Sequence, residues 1–250
     1  MTLAEPLLSS ARTLDVVEMF SGDGELSAAC LRKGLLVQSI DRENGPLQDL
    51  GTMVGLQFAI DAIMNLKVGG LLWLAPPCQN WVFLSMSVHR RSATNDYLGR
   101  PSSRLTQEAN SLLYINTALV RLAVARGAKY IIEQPLDSRM LKTKCMAKVF
   151  HMTGARRVVT YLKSFAETFP CAKGLHLAGN ADFLQALVRN RPEGKASDGI
   201  YTIDSITGSV TGGPELAGTA SYPSGFGEAA QALLLPERAF SCWLRWYVHS

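Results

Sequence analysis

Residues 14–41, LDVVEMFSGDGELSAACLRKGLLVQSID, decide the fold. LDVVEMF is rich in β-branched and large apolar residues and stops at Ser21-Gly22-Asp23-Gly24, which predicts a buried strand entering a glycine turn. LSAACLRKG has helical character and ends on Gly34, and LLVQSID is a second strand that closes on Asp41. Strand, helix and strand in that order need a crossover, so the two strands pair in parallel.

The pattern continues along the chain. Residues 55–66, GLQFAIDAIMNL, have helical spacing, although Asp61 is also compatible with a loop after a short strand. Gly69-Gly70 leads into LLWLA, the third clear strand. LTQEANSLLYINTALVRLAVARG forms a long amphipathic helix ending on Gly127, and AKYIIEQP is a fourth strand stopped by Pro135. SRMLKTKCMAKVF reads as helix, and ARRVVTYLKSF as a strand with an antiparallel neighbour near residues 174–178. Alternating strands and helices predict an α/β protein built on an open, doubly wound, mostly parallel sheet. The expected organisation is a main unit over residues 1–190 and a Gly/Ser/Thr-rich loop over 191–227. A helical segment over 228–250 then packs back on the main unit.

Composition narrows the class. The chain has 250 residues, 47% hydrophobic and 18% charged, which excludes a wholly disordered protein. A net charge of +4 accommodates an anionic partner without demanding one. The five cysteines (Cys30, Cys78, Cys145, Cys171, Cys242) form no CxxC pair and have no histidine at metal-ligand spacing. Free thiols in a reducing compartment, nucleus or cytoplasm, and no metal are expected. The N-terminus lacks the pattern of a secretory signal, and no apolar run approaches the ~20 residues of a membrane helix. A soluble protein is therefore expected.

In doubly wound sheets ligands bind beyond the carboxyl ends of the strands. Those ends are Ser21–Gly24, Asp41, Pro76–Gln79 and Glu133–Pro135. FSGDG lets backbone amides approach a ligand closely, and Asp41 stands where a nucleotide-binding sheet places an acid for ribose hydroxyls. Ser27 occupies the third glycine position of a dinucleotide fingerprint, and no P-loop lysine follows. The turn thus suits an adenosine-type cofactor without phosphates, such as S-adenosylmethionine. Pro76-Pro77 fix φ and form a stiff turn presenting Cys78, a thiol able to attack an electrophilic carbon. Glu133, ending a neighbouring strand, can supply a proton to the same crevice.

These residues resemble the cytosine-C5 methyltransferase family. The resemblance rests on VEMFSGDGELS (17–27) as the cofactor motif, Asp41, Asp61, APPCQ (75–79) as the catalytic loop, and IIEQP (131–135) with Glu133 in the family's glutamate position. It covers about residues 14–165, and APPCQ is its most specific element. It implies a Rossmann-like, S-adenosylmethionine-dependent methyltransferase fold. Phe20, Ser21, Gly22, Gly24, Asp41, Asp61 and Pro76 would hold the cofactor, and Cys78 and Glu133 would be catalytic. Gln79, Arg156 and Arg157 would meet the substrate, a cytosine in DNA or RNA methylated at C5 through a Cys78 adduct.

The chain departs from the family pattern in four places, one of them the absence of the closing motif Gln-x-x-Gly-Asn-x-Val. Gln134-Pro135 replace Asn-Val after the glutamate, and ARRVVTYL only faintly echoes the arginine-rich strand. Between Gly179 and Ser221 lie roughly forty residues, too few for a recognition domain with its own core. SYPSGFGEAAQAL (221–233) is expected to feed a helix returning to the cofactor side. Two other readings stay open: a methyltransferase-like binding protein without catalysis, and a methyltransferase for a different acceptor. The basic segment from His89 to Arg104 reads either as a mobile contact to a nucleic-acid backbone or as a solvated loop.

Overall fold

A computed structural model describes residues 12–193, 201–203, 210–212, 219 and 221–234. Most of the helical segment expected over 228–250, with Cys242, lies outside the described residues, as does most of the loop expected over 191–227. Six strands form one sheet: β1 (Leu14–Met19), β2 (Val37–Ile40), β3 (Leu66–Leu74), β4 (Lys129–Pro135), β5 (Arg156–Tyr161) and β6 (Gly174–Gly179), in the order β2-β1-β3-β4-β6-β5. The first four strands pair in parallel. β6 runs antiparallel to both β4 and β5, so five strands point one way and one points back.

Helices α1 (Glu25–Arg32), α2 (Met53–Met64), α3 (Phe83–His89), α4 (Arg104–Ala125) and α5 (Lys144–Thr153) connect the strands. A further helix, α6 (Ser224–Ala232), begins four residues before the segment expected to be helical, within what reads in sequence as loop. Two short strands, β7 (Tyr201–Ile203) and β8 (Val210–Gly212), pair antiparallel in the same stretch.

The alternation of side chains along each strand divides the core in two. Val17, Met19, Leu72, Leu74, Tyr130 and Ile132 pack with α2, α4 and α5 on one face. Val16, Leu71, Trp73 and Ile131 pack with Leu26 and Cys30 of α1 and Phe226 and Ala230 of α6 on the other. Helices cover both faces, the doubly wound arrangement expected. The third strand begins five residues earlier than LLWLA alone suggests. A register shift against β1 lets it pass through Gly69-Gly70, where Gly69 adopts φ 76° and donates to the Gly127 carbonyl at 2.8 Å. Among the described residues no helix is long and apolar enough to cross a membrane.

Strand register positions the site. Met19 lies opposite both Ile40 and Leu74, and Leu74 opposite Ile132. Phe20, Asp41, Ala75 and Glu133 therefore leave the sheet on one row. The chain passes from β1 to β2 on one side and returns to β3 on the other, so the loops after β1 and β3 diverge around a crevice.

Candidate active site

The glycine turn and Asp41 form one unit. After β1 the backbone enters the left-handed region at Phe20 (φ 59°), Gly22 (52°) and Gly24 (69°), and the Gly24 amide closes the turn on the Ser21 carbonyl at 2.9 Å. Asp41 Oδ2 accepts the Gly22 amide and Oδ1 the Glu43 amide, both at 2.9 Å. The Ser39 hydroxyl donates to that of Ser21 at 2.8 Å. A side chain at Gly22 would meet no atom within 4 Å, so the turn faces open space.

Beneath this turn lies Glu18, fully buried on β1. Its Oε2 accepts the Ser27 amide at 2.9 Å and hydroxyl at 2.5 Å, which pins the start of α1, while Oε1 has no partner. Burial, partly opposed by the Ser27 bonds, raises its pKa from 4.5 to about 7. The folded state thus holds this proton more tightly than the unfolded one. The stabilisation is fully present below about pH 4.5 and is lost as pH rises through about 7. Glu18→Gln is expected to flatten this dependence, worth at most about 1.4 kcal/mol per pH unit, when urea midpoints at pH 5 and 7.5 are compared.

The turn carrying Cys78 is clasped from the neighbouring strand. Successive β4 residues face opposite sides of the sheet, so Gln134 turns away from Glu133. The buried Gln134 amide donates to the Pro76 carbonyl at 2.6 Å, and its oxygen accepts from Ser138 at 2.7 Å. The amides of Trp81 and Val82 donate to the Cys78 carbonyl at 2.8 and 3.2 Å, and the Arg139 amide to the Trp81 carbonyl at 2.8 Å. Asp137 accepts the Phe83 amide at 3.0 Å. Pro76 is buried, Cys78 half-buried and Gln79 exposed.

Glu133 retains only 9% of its surface. Its Oε2 accepts the Tyr222 hydroxyl at 3.0 Å, and the Trp73 indole N–H donates to the same phenolic oxygen at 3.3 Å. Burial raises the Glu133 pKa above the ordinary carboxylate value, against the opposing effects of Lys173 and Tyr222. Burial, with the charge of Glu133 next in size, pushes the Cys78 thiol up to about 11, again opposed by Lys173. Thiol, carboxyl and ammonium thus sense one another in one crevice, and the resting thiol is protonated at neutral pH. Cys30, Cys78 and Cys145 are free thiols.

The site residues expected from sequence fall into two groups. Phe20, Ser21, Gly22, Gly24, Asp41, Pro76, Cys78, Gln79 and Glu133 all lie on the loops and strand ends at the carboxyl edge. Asp61 is helical, in the third turn of α2, where it accepts from Gln57 at 2.9 Å and lines an apolar groove with Leu47, Met53 and Phe58. Arg156 and Arg157 lie apart from both. They open β5, level with Ile131 and Ile132 and before Glu133, while Tyr161 at the other end of β5 is level with Gly174 near the site. Arg157 donates to the Leu141 carbonyl at 3.1 Å, so the structure does not bring this pair to Cys78.

The basic segment is not uniformly solvated either. Arg91 is buried, its guanidinium 3.6 Å from the Trp81 ring centroid and donating to the Tyr97 carbonyl at 2.6 Å, while Arg90, Arg100 and Arg104 are exposed. Sequence reasoning missed Tyr222, Lys173, Gln134 and Glu18. Only Glu18 and Gln134 carried a signal, as polar residues inside apolar strands.

Among the described residues no cluster of three or more His, Cys, Asp or Glu side chains could hold a metal. No family model matches the chain, and no curated protein matches it. Solved structures similar to it include the Entamoeba histolytica methyltransferase EhMeth, at 14% identity and a TM-score of 0.43 over 74% of this chain and 56% of that one. Another is the S. pombe Dnmt2 methyltransferase, at 14% identity and a TM-score of 0.39 over 74% and 57%. The matched region spans little more than half the length of either protein. Likeness of this degree leaves function to the geometry of the site.

Proposed function

We propose that this protein is an S-adenosylmethionine-dependent methyltransferase acting at C5 of a cytosine in DNA or RNA, with Cys78 as nucleophile and Glu133 as proton donor. The observation that carries the reading is the meeting of a thiol on a stiff Pro-Pro turn with a buried carboxyl that holds its proton more tightly than usual, the glycine turn lying one strand from that thiol and Asp41 one strand further.

The residues at the glycine turn fit the cofactor. Open space faces Gly22, Asp41 stands beside it with lone pairs to spare for ribose hydroxyls, and the unpartnered Glu18 Oε1 is a buried acceptor suited to an ammonium group. Phe20, Ser21, Gly22, Gly24 and Pro76 would complete the cradle. When bound, the cofactor supplies an electrophilic methyl group on a sulfonium.

The chain's own residues would perform the rest. C5 of cytosine is a weak nucleophile until the C5–C6 double bond is opened. Cys78 Sγ bonds to C6 while Glu133 gives its proton to N3, and the thiol's proton replaces the one Glu133 has lost. No net proton is consumed, and a thiol with a pKa near 11 need not ionise in advance. The electron pair released onto C5 bonds the methyl carbon. Loss of the C5 proton to water then breaks the S–C6 bond, and the proton held at N3 passes to the departing sulfur, so Cys78 is again a thiol and Glu133 keeps the proton it took from that thiol. A base held away from its stack is required for this chemistry, and the exposed Gln79 at the lip of the turn is suited to meet it.

The test is incubation with labelled cofactor and separate DNA and RNA pools containing 5-fluorocytosine. Fluorine at C5 cannot leave as a cation, so the reaction stops at the Cys78 adduct. A labelled protein–nucleic acid species that survives denaturation is expected. Cofactor binding without an adduct in either pool would overturn the reading and favour a methyltransferase-like binding protein; label at an exocyclic nitrogen would favour the other acceptor class.

A further inference from the structure

Tyr222 lies 89 residues from Glu133 in sequence, in the segment that feeds α6. We propose that Tyr222 is a positioning residue that fixes which oxygen of Glu133 carries the catalytic proton, an inference that rests on the methyl-transfer reading for its catalytic meaning.

The argument turns on hydrogen-bond direction. An indole N–H can only donate, so in the Trp73–Tyr222 contact at 3.3 Å the phenolic oxygen is the acceptor. The phenol has one hydrogen, and it is left for Glu133 Oε2 at 3.0 Å. Oε2 is thereby an acceptor whether Glu133 is charged or neutral. The carbonyl oxygen of a neutral carboxyl is the stronger acceptor, so when Glu133 is protonated this bond favours Oε2 as the carbonyl oxygen and Oε1 as the one that carries the hydrogen. After that proton is given up, the Tyr222 hydrogen bond stabilises the carboxylate left behind.

The ring is held so that this direction persists. Tyr222 packs against Phe226 at 4.9 Å and edge-on to Trp73 at 6.3 Å, and Phe226 itself packs edge-on to Trp73 at 5.8 Å. The backbone around it is tied to the rest of the crevice. The Ser221 hydroxyl donates to Asp23 of the glycine turn, and the Lys173 ammonium donates to the Thr219 carbonyl at 2.6 Å. Pro223 caps α6, which approaches α1 so closely that a side chain at Gly227 would come 2.8 Å from the Glu25 carbonyl. The segment carrying Tyr222 thus touches the turn after β1, the acid at the end of β4 and the cation before β6.

Tyr222→Phe keeps the ring and removes the hydrogen bond. The charged and titratable groups around Glu133 are Cys78 from the turn after β3, Lys173 before β6 and Tyr222 before α6; Asp137 acts on Cys78, and Glu18 of β1 on Tyr222. Of these only Tyr222 changes. Because its bond favours the charged carboxylate, the Glu133 pKa should rise further in the variant.

The experiment follows Glu133 by NMR of protein labelled with 13C at glutamate carboxyls, the signal assigned by Glu133→Gln, alongside methyl-transfer kinetics. Tyr222→Phe is expected to move the Glu133 titration upward, leave KM for the cofactor unchanged and lower kcat about tenfold or more. Phe226→Leu, which loosens the same aromatic cluster without touching the bond, is expected to leave the titration in place. An unmoved titration in Tyr222→Phe, or an equal movement in Phe226→Leu, overturns the proposal. If the titration moves in Tyr222→Phe alone while even the wild-type protein transfers no methyl group, the positioning of Glu133 stands and the methyl-transfer reading is what fails.

Discussion

Cys78→Ala is expected to lower methyl transfer by about four orders of magnitude while cofactor affinity stays within about twofold. The reason is chemical. Without the thiolate adding at C6, no other group at the crevice opens the C5–C6 double bond, and the remaining residues can only bind and orient. Apart from Pro76, the proposed cofactor cradle lies on the loops after β1 and β2, and the hydrogen bonds that shape it there, from the Gly22 and Glu43 amides to Asp41, do not involve the thiol. The turn also survives the substitution, because its ties run through the Pro76 and Cys78 carbonyls. Stability should therefore change by less than about 1 kcal/mol. Paired measurements, calorimetric cofactor binding and labelled methyl incorporation, separate the two effects. Transfer at the wild-type rate by Cys78→Ala would remove the covalent mechanism.

Trp73→Ala should have the largest effect on folding, a loss of about 3–5 kcal/mol read as a lower urea midpoint at unchanged m. Trp73 is fully buried in the centre of the sheet, opposite Glu18 on β1 and Ile131 on β4. Its ring supports Phe226 of α6 and the Tyr222 ring, so the cavity left behind opens under α6. Trp73→Phe should cost less, because most of the volume remains. The alanine variant also deprives the Tyr222 oxygen of its indole donor, so any folded fraction should show a perturbed Glu133 titration. A loss below about 1 kcal/mol for Trp73→Ala would contradict the packing described.

Much of the fold was legible in the order of strands and turns. LDVVEMF, LLVQSID, LLWLA and AKYIIEQP are apolar runs that stop at Gly, Asp or Pro, and each is a strand of the sheet. The candidate nucleophile and acid were legible because Cys78 follows such a stop and Glu133 lies just before one. Arg156 and Arg157 show what reading by strand alone leaves open. The strand ARRVVTY exists, but β6 runs against β4 and β5 runs against β6, so β5 points the same way as β4 and its first residues lie towards the opposite edge. Strand direction depends on pairing partners, which no local pattern records. Asp61 illustrates a related limit, since its surroundings fitted both helix and loop until α2 was seen to run unbroken from Met53 to Met64.

By itself, then, the sequence determined the alternation of elements, the glycine turn with its acid, and the thiol on a Pro-Pro turn, because each is set by φ restrictions and side-chain periodicity within a few residues. Only the tertiary structure decided what surrounds Glu133. The hydroxyl of Tyr222, the ammonium of Lys173 and the indole of Trp73 come from distant parts of the chain. They meet because register aligns the strand ends on one row and α6 folds back over α1, and desolvation at that meeting point sets how tightly the acid and the thiol hold their protons.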